Sequence, residues 1–140
     1  MKLIKFLVMI QKNKDLLLQD LCGRLSHGVK CKVWYNDKTL NIKCTGIDFY
    51  TNTVNLDIPG DDNAKVYVDN IKPYLFPLSS MTEEQKIIYG DLCYAVIHSL
   101  AWDMQAALNE LIDWLNKNHF DYRGLIEKGL AVNATGLNIY

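Results

Sequence analysis

Four side chains able to do acid–base or anion chemistry fall within five positions near the C-terminus: His119, Asp121, Tyr122 and Arg123. An imidazole beside a carboxylate, a phenol and a guanidinium can serve as a general base with an anion clamp, or as a phosphate site. The same residues admit a structural role. Asp121 and Arg123 can pair or cap backbone groups, while Phe120 and Tyr122 anchor the tail to the core. Neighbours on extended chain point to opposite sides, so the four converge only if the local fold brings them round.

A second constellation is Lys30, Lys32, Trp34 and Lys43, with Asn41 and Thr45. In the run 29–35, Val29, Cys31, Val33 and Tyr35 share one face of a strand, and Lys30, Lys32 and Trp34 share the other. Lysines beside an aromatic ring make a platform for a nucleotide or single-stranded nucleic acid, the charges holding phosphate and the ring stacking a base. The opposing facts are the acidic residues Asp57, Asp61 and Asp62 nearby and a net charge of -1. That balance removes the global basic field expected of a duplex-DNA binder. The alternative reading is a solvated face, or one covered by the C-terminal helices through Trp34.

Other chemistry is poorly served by the spacings. The three histidines form no HxxxH or HExxH pair, so neither a metal nor another cofactor is implied. His27 reads as a surface residue, and His98 as a core or boundary histidine. Ser79 and Ser80 lack the Gly-x-Ser-x-Gly context of a nucleophile elbow. Cys93 and His98 stand five apart on one helix and point away from each other. No two of the four cysteines have CxxC spacing, and all four are expected as buried, reduced thiols of an intracellular protein.

These groups need a scaffold. With 140 residues and 49% hydrophobic content the chain can bury one core, and we expect one compact domain. Residues 1–13 form an apolar segment, 14–78 a helix plus barrel-like region, 79–119 a helical pair and 120–140 an ordered tail. Residues 1–10 read as a first strand, or as residues ahead of an internal start at Met9. They lack a cleavage site and are too short to cross a bilayer, so a cytoplasmic location without membrane partners is expected.

Residues 14–25 read as an amphipathic helix with Leu17, Leu18, Leu21, Cys22 and Leu25 on one stripe, and Lys14, Asp15, Gln19, Asp20 and Arg24 towards solvent. Short alternating strands follow, separated by turns at Asn36–Asp37, 50–52 and 59–63, with Gly46 as a bulge or bend. Residues 65–69 read as a fourth strand, and residues 70–73 as a fifth strand or a 3-10 turn. From Ser80 the period changes to helical. Ser80 with Glu83 fits a capping box and Thr82 is an alternative cap. A break near Ala101–Trp102 separates two helices, with Asp103 capping the second. Asp103, Glu110 and Asp113 read as capping and solvent charges.

One helix followed by four or five short bent strands resembles the SH3-like or Sm-like barrels. The expected fold class is therefore α+β: a small, strongly bent antiparallel barrel or sheet, an N-terminal helix, two C-terminal helices and a tail closing over the barrel. Two strings carry a further resemblance, residues 71–82 (IKPYLFPLSSMT) and residues 115–140 beginning LNKNHFDYRGLI. Both are similar to a group of short uncharacterised proteins of gut bacteria and their phages and prophages, as is the stretch 14–29. Two departures stand out: Ser26–His27 where relatives tend to have Pro-Tyr, and Val132–Asn133 where they tend to have Ile-Asp. The group has no established activity, so no functional residue carries over. The resemblance implies a non-catalytic binding module of phage or mobile-element type, with a host or phage protein as partner. An inhibitor of a host defence factor is one such module. The alternatives are a nucleotide or single-stranded nucleic-acid binder using Lys30, Lys32, Trp34 and Lys43, and a small enzyme centred on His119, Asp121 and Arg123. Self-association through the apolar N-terminus and helix stripe is compatible with each.

Overall fold

The computed structural model describes residues 2–100 and 102–140 and is α+β. Its first element corrects the sequence reading. Residues 2–10 are not a strand but the first turns of a long helix, α1 (Lys2–Arg24). Leu, Lys, Met and Gln are good helix formers, and no Gly or Pro interrupts the run before Cys22. A 3-10 turn (Leu25–His27) and Gly28 in the left-handed region (φ 67°) end it.

Five strands follow: β1 (Lys30–Tyr35), β2 (Lys38–Asp48), β3 (Thr53–Leu56), β4 (Lys65–Tyr67) and β5 (Ile71–Pro77). Asn36 and Asp37 both take positive φ (50° and 61°), the backbone of a tight two-residue hairpin turn. β2 bulges between Cys44 and Gly46. A Cβ at Gly46 would lie 2.9 Å from Asn55 Nδ2, the tip of a side chain that a residue other than glycine would have to displace. The expected fourth strand stops at Tyr67, a 3-10 turn takes Val68–Asn70, and β5 begins at Ile71.

The strand order is β4-β3-β2-β1-β5-β6, where β6 is Phe120–Asp121 and β7 (Val132–Asn133) also pairs with β5. The sheet is not closed into a barrel. It is mixed rather than purely antiparallel, because the tail returns alongside β5 and both β6 and β7 run parallel to it. α1 lays Leu17, Leu18 and Leu21 on one face of this sheet, against a core that includes Cys31, Val33, Ile71 and Leu75.

α2 (Glu83–His98) and α3 (Met104–Lys117) form a helical hairpin. The N-terminal capping box of α2 is Thr82 with Gln85, not Ser80 with Glu83; the Ser80 hydroxyl donates to the Pro77 carbonyl instead. Asp103 precedes α3 but makes no side-chain cap. The hairpin is rooted in a second, smaller core of Met81, Leu115 and Phe120. No residue of α2 is fully buried, and His98 is exposed, its ring 4.0 Å from that of Tyr94.

The other corrections concern polar and thiol groups. Asp20 and Arg24, expected in solvent, are both 0% exposed. Their side of α1 is covered by the tail, which sequence periodicity on α1 alone does not reveal. Of the cysteines, only Cys31 and Cys44 are buried; Cys22 is exposed and Cys93 half-buried. His27 is half-buried, with Nε2 3.0 Å from Asp113 Oδ1.

Candidate functional site

Residues 119–123 scatter in three directions. His119 takes positive φ (61°), which turns its ring away from the residues after it. The ring stacks on Tyr140 (centroids 3.6 Å apart, planes within 10°). It lines a cleft of about 380 Å³ with Phe76, Ser80, Lys117 and Asn118. Its Nδ1 is buried without a hydrogen-bond partner among the described residues. Burial, then the nearby Arg24 charge, push the imidazole down to about 4, so it is neutral at neutral pH.

Asp121 points elsewhere. Its two oxygens accept from the backbone N–H groups of Leu125 and Ile126, each at 2.9 Å. Both are tail caps, and neither oxygen is directed at His119. Arg123 donates to Asp20 Oδ1 (3.1 Å) and to the Tyr122 hydroxyl (2.9 Å). Tyr122 in turn donates to Asn116 Oδ1 and lies under both guanidinium groups, Arg24 at 5.2 Å and Arg123 at 4.7 Å. The phenol and guanidinium thus belong to a network that fastens the tail to α1, the carboxylate folds the tail on itself, and no general base is aligned with an acid here.

The second constellation is assembled on one surface. Directly opposed residues of an antiparallel pair share a face. Lys30 stands opposite Lys43, Trp34 opposite Thr39, and Lys32 opposite Asn41 on β2 and Lys72 on β5. The face of β1 opposite to α1 therefore carries lysines from three strands around one tryptophan. Trp34 is 60% exposed and is not covered by the C-terminal helices. Two clefts flank it. One, of about 340 Å³, is lined by Lys32, Thr39, Asn70 and Lys72. The other, of about 540 Å³, is lined by Tyr35, Thr53, Lys65 and Tyr67. Tyr67 is 65% exposed and adds a second ring that the sequence reading left out, as it left out Lys72. The signal for Lys72 was strand pairing across forty residues, which no local pattern contains.

Two features limit this surface. Lys30 is engaged by the tail: its Nζ donates to the Ile139 carbonyl at 2.8 Å, and its N–H donates to the Tyr140 hydroxyl. Tyr140 also donates to the Tyr74 carbonyl at 2.8 Å, closing that end of the face. Asp69 lines the first cleft and Asp37 the second, although Asp69 lies 3.6 Å from the ammonium of Lys14. Lys32, Trp34, Lys43 and Lys72 remain available.

Among the described residues, no three His, Cys, Asp or Glu side chains come together as a metal site. No helix of the described residues is long and apolar enough to cross a membrane. Comparison with protein-family models, with curated proteins and with solved structures finds no match to this chain.

Proposed function

We propose that the chain is a non-catalytic binding module whose open sheet face takes single-stranded nucleic acid. The observation that carries this reading is the in-register placement of Lys32 and Lys72 beside the exposed ring of Trp34, with Lys43 one row away. Lysines give sequence-independent attraction to phosphates, and an exposed indole stacks any base. Trp34 stands between two clefts, one entered past Lys32 and Lys72 and the other past Lys65 and Tyr67. A strand crossing the indole meets ammonium groups and a ring on either side, which suits an extended chain better than a single nucleotide. The phosphates of a duplex would need a wider basic surface than this one.

The β1–β5 sheet, with its bulge in β2 and a 3-10 turn before β5, is compatible with an SH3-like or Sm-like origin for this part of the chain. Architecture of that kind hosts many functions, so the binding reading rests on the side chains. The resemblance to phage and prophage proteins supports a role in mobile-element biology, with the bound strand of host or phage origin.

The test is fluorescence polarisation with labelled single-stranded oligonucleotides at two salt concentrations. Binding is expected to weaken as salt rises and to be lost in Trp34→Ala while the thermal melt stays unchanged. Binding that survives Trp34→Ala and Lys32→Ala/Lys72→Ala removes this face from consideration. No binding to any oligonucleotide, with capture of a protein by the same face, replaces the nucleic acid by a protein partner.

A further inference from the structure

Two apolar surfaces project from opposite ends of the molecule. One is the start of α1, Lys2–Ile10, which we call the arm. It extends beyond the sheet, and Leu3, Phe6 and Leu7 are each more than half exposed. Leu3, Leu7 and Ile10 continue the same stripe that farther along the helix buries Leu17 and Leu21, so the arm is the core-forming face of α1 without a core beneath it. The other surface is the α2–α3 hairpin. On α2, Ile87, Gly90, Tyr94 and Ile97 repeat at spacings of three and four, the seam of a helix that packs along another helix. Ile97 is 74% exposed, and Trp102, beyond the end of α2, is 81% exposed. Gly90 leaves open space where a Cβ would stand. Gly90 therefore places no side chain in the seam.

We propose that the arm of one copy docks on the α2–α3 hairpin of a second copy. Charge selects this pairing. The arm holds two lysines, Lys2 and Lys5, and no carboxylate, whereas residues 83–117 hold six carboxylates and two lysines. Hairpin against hairpin brings like charge together; arm against hairpin brings opposite charge. Within one chain the arm and the exposed seam do not meet. The arm leaves the sheet beside Asp69, Ile71 and Lys72, at the start of β5, while the hairpin is rooted by Phe120 beside Phe76, at its end. The chain exposes 9104 Å², where a compact chain of its 16.1 kDa exposes about 7,400 Å², as expected of a fold with elements projecting from its core. A contact of arm with hairpin is heterologous, so it closes as a reciprocal pair or a ring, or continues as a filament.

The test is light scattering coupled to size exclusion, run on the full chain and on two variants, Leu7→Asp in the arm and Ile97→Lys in the hairpin. Both positions are exposed, so each variant should keep the wild-type melt of the monomer. The wild type is expected at twice the monomer mass or more, and each variant alone at the monomer mass. Mixing the two variants is expected to restore a one-to-one complex, because one sound arm meets one sound hairpin. A monomeric wild type, a Leu7→Asp variant that still associates, or a mixture that stays monomeric would each overturn the proposal. A wild type that is monomeric in solution and binds phosphatidylglycerol vesicles through the arm would assign the arm to an anionic membrane surface instead.

Discussion

Asp20 and Arg24 are one helical turn apart on α1, both wholly buried, and joined by two hydrogen bonds of 2.8 and 3.1 Å. The second guanidinium nitrogen also donates to the Phe120 carbonyl at 2.6 Å. This pair is where α1, β6 and the tail meet, and Arg123 reaches the same carboxylate from the far side. Removing Asp20 leaves the Arg24 charge buried without a carboxylate, whereas removing Arg24 leaves Asp20 still paired with Arg123. Asp20→Ala is therefore expected to cost about 3–5 kcal/mol, read as a lower urea midpoint, and Arg24→Ala less. The double variant Asp20→Leu/Arg24→Met should lose less than the sum of the singles.

Asp121 holds the tail by its backbone. With Asp121→Ala, the N–H groups of Leu125 and Ile126 lose their acceptor, and Leu125 is fully buried. A loss of about 1–3 kcal/mol is expected, with Asp121→Asn milder because one acceptor oxygen survives. Equilibrium unfolding checks both. A catalytic Asp121 would instead lose an activity with the melt intact.

His119 makes stability depend on pH in a defined window. Its folded-state value of about 4 lies below the ordinary 6.5. Between those values the unfolded chain binds a proton that the folded chain refuses, so stability rises with pH there. The contribution is complete above about pH 6.5 and fades as pH falls towards 4. His119→Asn tolerates the positive φ and should flatten the curve. Urea midpoints of wild type and variant, compared at pH 5 and pH 7, give the difference.

The thiols should react in order of exposure. Cys22 is exposed, Cys93 half-buried, and Cys31 and Cys44 are buried. The neighbouring Cys44, and then burial, push the Cys31 thiol up, which further suppresses its thiolate. Titration with a chromogenic disulfide reagent should show one fast thiol in the native protein. That phase should vanish in Cys22→Ser, with Cys31 and Cys44 reacting only on unfolding.

Salt dependence separates the lysines. Lys32→Ala and Lys72→Ala should each flatten the slope of log affinity against log salt by about 0.7 for a single strand. Lys30→Ala should change it less, because its ammonium is already held by Ile139. Polarisation titrations over a salt series measure this.

What the sequence determined by itself was local. Alternation placed Lys30, Lys32 and Trp34 on one side of a strand, Asn36–Asp37 specified a tight turn, and Gly46 marked the bulge, because each depends on the residue and its immediate neighbours. The tertiary structure decided what depends on distant chain. Asp20 and Arg24 look like solvent charges until the Phe120 carbonyl, 96 positions from Arg24, arrives to cover them. Lys72 joins Lys32 only through the pairing of β5 with β1. His119 parts from Asp121 because a left-handed backbone and Tyr140 draw its ring the other way. The arm was legible as apolar but not as a helix, since a short apolar run has no distinguishing period until the turns that follow extend it.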